Sequence, residues 1–101
     1  MNITPVLPDE RMRALGFTDR DPDKWYLFRN LDSGTTLNVT VVKDTGEWEE
    51  LVMDEFCGQP AFYGQMTEPF QTVIREGIDS AVSEFRAAGL TVNVDHSDYV
   101  G

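Results

Sequence analysis

The sequence predicts an α+β fold in which a short N-terminal helix precedes an antiparallel three-stranded meander packed on one long C-terminal helix, with a fourth strand added at a sheet edge. Three observations carry that prediction. Leu37, Val39 and Val41 alternate with Thr36, Asn38 and Thr40 over residues 35–43, the period of a strand with one buried face. Phe70, Val73, Ile74, Ile78, Ala81, Val82 and Phe85 recur at helical spacing and make one broad apolar stripe. Asp32-Ser33-Gly34 and Asp44-Thr45-Gly46 flank the alternating segment and supply the glycines that short hairpin loops need.

The first helix is expected near residues 8–15. Pro8 suits a first turn, Asp9 and Glu10 favour the positive end of the helix dipole, and Gly16 stops it. Met12 and Leu15 share a face, with Phe17 placed for the apolar contact of a helix stop, so this helix reads as a lid and not as a core element. Residues 18–24, TDRDPDK, read as a polar surface connection.

A strand then begins near Trp25, with Trp25, Leu27 and Leu31 on one face and Tyr26 and Phe28 on the other, so part of it should be covered on both sides. The next strand, residues 35–43, should have a wet outer face. In the third, residues 47–54, Trp48 has opposite parity to Leu51 and Met53. Either a bulge near Glu49 and Glu50 reconciles them or Trp48 packs outside, beside Tyr26 or Phe28.

The long helix should run from a Thr67 cap, through Pro69 in the first turn, to Gly89 just beyond its end. Gly77 interrupts its apolar stripe at a cost of about 1 kcal/mol relative to alanine, which points to close approach by a bulky strand side chain such as a tryptophan. Leu90, Val92 and Val94 alternate again and supply the fourth strand, while residues 96–101 read as a frayed tail. With no repeat or linker, residues 1–101 are expected to form one domain.

The chain has 101 residues, of which 41% are hydrophobic and 26% charged, an ordinary balance for a folding domain. Its 18 acidic and 8 basic residues give a formal charge of −10, which argues against direct binding to nucleic acid or anionic membranes. The acidic groups are scattered, as on a solvated surface. Cys57 is the single cysteine, so no intrachain disulfide and no CxxC arrangement can form, and a reducing cytoplasm is the expected compartment. No apolar run reaches membrane-spanning length and the first residues carry no secretory pattern. The sequons at Asn2 and Asn38 are read as chance matches.

Residues 56–66, FCGQPAFYGQM, are the most unusual stretch, because so short a connection rarely carries so many large apolar groups. Phe56, Gln59, Phe62, Tyr63 and Met66 are the candidate protein-binding residues. The competing reading folds these side chains back to seal the core; Gly58, Pro60 and Gly64 shape the loop in both cases.

Evidence for chemistry is thin. Cys57 and His96 are the only candidates for a nucleophile and base, and they read more simply as a small buried thiol and an exposed histidine. Asp54, Glu55, Asp95, His96 and Asp98 would have to converge to hold a divalent metal, and neighbours on a strand point to opposite faces. The motifs GxGxxG, GxSxG and HExxH and the P-loop are missing, so no catalytic residue, metal or cofactor is expected.

The helix ending Leu15-Gly16-Phe17, the strand KWYLFRNL, the GEW hairpin and the run from Met53 to Pro60 together resemble small proteins of unknown function encoded in bacteriophage and prophage regions of bacterial genomes. That resemblance implies a bacterial or phage origin and assigns no functional residue. The leading expectation is a small acidic non-enzymatic module that binds an unidentified protein partner through residues 56–66 or a strand edge. Its alternative is an acidic decoy that occupies the basic cleft of a nucleic-acid-binding protein; a small enzyme using Cys57 and His96 comes last.

Overall fold

The computed structural model describes residues 2–32 and 34–101. Ser33, in the middle of the first expected turn, lies outside the described residues. The chain runs α1 (Asp9–Ala14), β1 (Thr18–Asp21), β2 (Lys24–Asp32), β3 (Thr35–Val42), β4 (Trp48–Asp54), β5 (Gln59–Pro60) and α2 (Phe70–Ala88), with 3-10 turns at Tyr63–Gln65 and His96–Tyr99. The fold is α+β. Its antiparallel sheet has five strands in the order β1-β2-β3-β4-β5, where the sequence suggested three with a fourth at an edge.

Both added strands lack the signal that reveals a strand. β1 is the stretch read as a surface connection. Its TDRD sequence faces water almost throughout, so no apolar alternation marks it. A tight turn at Pro22-Asp23 closes the hairpin, with Asp21 Oδ1 accepting from the Asp23 N–H at 2.9 Å. β5 is two exposed residues inside the expected loop, and Pro60 is tolerated there because the strand is at the edge.

The register settles the parity conflict in β4 without a bulge. Trp25, Val41 and Trp48 form one row across the inner face, Leu27, Val39 and Glu50 the next, and Arg29, Leu37 and Val52 the third. Trp48 therefore packs inside, while Leu51 and Met53 turn outward, which neither expected alternative allowed. The larger indole buries more apolar area than either thioether or leucine, so its burial decides which face the strand turns inward.

α2 covers this inner face through Ile74, Ile78, Ala81, Val82 and Phe85, all buried. Phe70 and Val73 do not join them: they are 47% and 42% exposed. Phe70 occupies the first turn of the helix, and Val73 lies about 100° around the axis from Ile74, at the margin of the stripe. Gly77 does mark a close approach, but the neighbour is Leu31, whose Cδ2 would stand 3.2 Å from an added Cβ, and not a tryptophan. Thr67 does not cap the helix. Pro69 precedes Phe70, and the Glu68 carboxylate accepts from both the N–H and the hydroxyl of Thr72. At the other end Gly89 adopts φ 107°, and the Leu90 N–H reaches Phe85 O at 2.9 Å.

α1 is part of the core and more than a lid: Met12 is fully buried, and Phe17, held by an N–H bond to Met12 O, lies 5.9 Å from the Phe85 ring. Leu90, Val92 and Val94 are buried as their alternation implies, yet they add no strand. The edge of β4 is already occupied. Ile3 bridges to Glu47, the Trp48 N–H donates to Asn2 O, β5 pairs with Met53 and Asp54, and between them the Val52 N–H donates to the Tyr99 hydroxyl at 3.1 Å. Residues 90–94 instead hold the N-terminal segment, through the Thr91 N–H to Thr4 Oγ1 at 2.6 Å.

Residues 96–101, expected to fray, dock: the 3-10 turn buries Tyr99 against Tyr63, ring centroids 5.3 Å apart. Tyr99 thus closes the gap in the β4 edge.

Candidate functional site

The outer face of the sheet is open except at Thr36, which is buried. Its rows are Lys24 beside Val42, then Tyr26-Thr40-Glu49, Phe28-Asn38-Leu51 and Asn30-Thr36-Met53. Phe28 is 60% exposed and Leu51 39%, flanking the short Asn38 side chain on the central strand. The expectation that Tyr26 and Phe28 would be covered is corrected for Phe28. A shallow groove of about 780 Å³ runs between Thr18, Arg20, Tyr26, Phe28 and Asn38, and a second of about 420 Å³ lies among Lys24, Thr40, Val42, Glu47 and Glu49.

Charge on this face is divided by strand. Arg20 and Lys24 lie on the β1–β2 side, Glu47 and Glu49 on the β4 side. Among the described residues none of these four side chains is in an ion pair. Towards the far end, the Thr36 hydroxyl donates to Glu55 Oε1 at 2.6 Å and accepts from Asn38 Nδ2 at 3.0 Å, which fixes the central row. On the opposite face, burial pushes the Glu50 carboxyl above its ordinary range, with the Asp98 and Glu49 charges adding to the effect.

The five residues singled out in the connection between β4 and α2 divide. Phe56 is 86% exposed at the tip of the turn, its ring against Gly34, where any Cβ would collide with it. Gln59 and Phe62 are also exposed, Met66 is half-buried against the core, and Tyr63 is fully buried. Residues 56–66 therefore divide between core and surface: Tyr63 seals the core while Phe56 and Phe62 face water.

Cys57 and His96 exchange their expected surroundings. Cys57 is exposed, with Sγ 3.9 Å from Asp54 O. His96 is half-buried, with Nδ1 2.5 Å from the Tyr63 hydroxyl and Nε2 2.8 Å from Asp79 Oδ1. Both ring nitrogens are engaged away from the thiol, so His96 is not placed as a base for Cys57 in this arrangement.

Asp79, His96 and Tyr63 do line up as carboxylate, imidazole and hydroxyl. The hydroxyl is enclosed, however, and burial raises the Tyr63 phenol well above its ordinary pKa. The chain of bonds pins the C-terminal turn to α2. Sequence could not reveal it, because Asp79 and Tyr63 lie 17 and 33 positions from His96.

Three of the four acidic residues considered for a metal are separately engaged. Asp54 Oδ1 accepts from the Phe56 N–H, Glu55 from Thr36, and Asp95 Oδ1 from the Ser97 N–H and hydroxyl. Those Ser97 bonds lower the Asp95 carboxyl below its usual range. Among the described residues no group of three or more His, Cys, Asp or Glu side chains is placed to hold a metal ion. Nor is any helix among them long and apolar enough to cross a membrane.

No protein-family model and no curated protein matches the chain. Among solved structures, the crystal structure of a DUF1831 family protein from Lactobacillus plantarum is similar, with a TM-score of 0.68 at 15% sequence identity, covering 87% of this chain and 81% of that one. At that identity the likeness is one of fold. It overturns the resemblance to phage and prophage proteins: the similar structure is that of a bacterial DUF-family protein, and no phage link is shown.

Proposed function

We propose that this chain is a small acidic non-enzymatic protein-binding module whose contact surface is the open outer face of the sheet. One observation carries the reading: Phe28 and Leu51 stand exposed in one row of a regular sheet, on either side of Asn38. A rigid sheet holding large apolar groups between small polar ones suits a contact that excludes water at its centre. Phe56 lies beyond this face, at the β2–β3 turn, and can extend the contact.

The acidic-decoy alternative would place binding in the carboxylates. On this face cations and carboxylates occur together, which favours an apolar contact with charged margins over a uniformly acidic one. A reducing cytoplasm is the compartment we propose, since Cys57 is a free exposed thiol.

The test is capture of binding partners on the immobilised chain, wild type against Phe28→Asp and Leu51→Asp, with circular dichroism confirming that both variants fold. Loss of a specific partner from both variants, at high as well as low salt, is the expected outcome. Equal capture by wild type and variants would refute this surface, and capture lost only on raising the salt would favour the decoy.

A further inference from the structure

Resting on that reading, we infer that the partner of the outer face is a second copy of this chain, packed face to face about a two-fold axis along the central strand β3. The argument is one of self-complementarity. An isologous interface must match each residue to a different residue of the same surface, unless that residue lies on the axis. β3 is the middle strand of β1-β2-β3-β4-β5, so a two-fold axis along it lays β2 of one copy over β4 of the other.

The rows then pair in a consistent way. Phe28 faces Leu51 of the copy, Tyr26 faces Glu49, and Lys24 faces Glu47. Phe28 and Leu51 meet as apolar groups and the unpaired Lys24 cation meets the unpaired Glu47 carboxylate, while in the fourth row Asn30 meets Met53. Thr40 and Asn38, short and polar, sit on the axis and meet their own counterparts, which leaves room for the flanking aromatic rings.

The other in-plane two-fold axis, across the strands, gives a worse match. It lays each strand over its own counterpart, so Lys24 never meets Glu47 wherever along the strands the axis falls. The charge pattern thus selects the axis along β3. Sheets packed in this manner lie about 10 Å apart with strands within about 30° of alignment.

Four strands about 4.8 Å apart and four outward rows about 6.7 Å apart give a face of roughly 400–500 Å² in projection. That is below the roughly 800 Å² per partner of a standard specific interface, so association should be reversible and no tighter than micromolar. The formal charge of −10 per copy opposes it most at low ionic strength.

The deciding experiment is sedimentation equilibrium of the full chain at about 0.15 M salt, from about 5 µM to about 500 µM. A reversible monomer–dimer equilibrium is expected. Lys24→Glu and Glu47→Lys should each weaken it about fivefold, and the two together should restore it to within about twofold of wild type, because each then meets the other across the axis. A wild-type chain that stays monomeric throughout, or a double variant no better than the singles, overturns the inference. If the chain is monomeric yet Phe28→Asp abolishes capture of a different protein, the binding-module reading stands and only the second copy is wrong. A chain that neither self-associates nor loses a partner on Phe28→Asp overturns both.

Discussion

Replacing Tyr99 by Phe tests whether the C-terminal turn is a working part of the sheet. The Tyr99 hydroxyl accepts the Val52 N–H at 3.1 Å, at a fully buried position on the β4 edge between the Ile3 bridge and β5. Phenylalanine keeps the ring and its stacking on Tyr63 at 5.3 Å but removes the acceptor. The backbone donor is then buried without a partner, a loss of about 1–3 kcal/mol. For a chain of this size that corresponds to a fall in Tm of at least roughly 5 °C.

Urea unfolding followed by the fluorescence of Trp25 and Trp48 measures the stability change. Hydrogen exchange at the Val52 amide localises it. A Tyr99→Phe chain with wild-type stability and an equally protected Val52 amide would refute the view that this turn closes the edge.

Two further substitutions test separate parts of the fold. Gly89→Ala places a Cβ at φ 107° and within 3.3 Å of Leu7 Cδ2, so denaturant unfolding should show a loss of about 1 kcal/mol or more. Glu50→Gln probes the carboxyl on the inner face. Burial raises its folded pKa above the unfolded value, so the stability of the wild type is full below the ordinary carboxylate range and declines as pH rises through the folded pKa. The glutamine variant should accordingly gain on the wild type in unfolding experiments as pH rises to neutrality and show little difference at acid pH.

Much of this fold was legible because it rests on periodicity. The alternation of Leu37, Val39 and Val41 and the repeat from Ile74 to Phe85 survive as core faces, and Gly16 and Gly89 stop their helices as read. What failed lacked a local signal. β1 is charged and exposed, so only its pairing with β2 makes it a strand. Leu90, Val92 and Val94 have a strand's pattern without a strand's partner, because the N-terminal segment, Tyr99 and β5 occupy the adjacent edge.

The candidate site was the least legible. Attention fell on residues 56–66 because they were dense in aromatics, yet density does not distinguish the buried Tyr63 from the exposed Phe56. Phe28 passed as half of a doubly covered strand. Its exposure depends on the absence of a second layer over that face, which no window of sequence reports. The same holds for His96, whose partners come from α2 and the turn at Tyr63–Gln65.

The measurement that tests the account most directly is oxidative side-chain footprinting, read by mass spectrometry, of the free chain and of the chain with its partner bound. The outer face predicts that Phe28, Leu51 and Met53 become protected on binding while Phe70 and Val73 on α2 label as before. Protection confined to Phe70 and Val73, with Phe28 still labelled at its free rate, would contradict it.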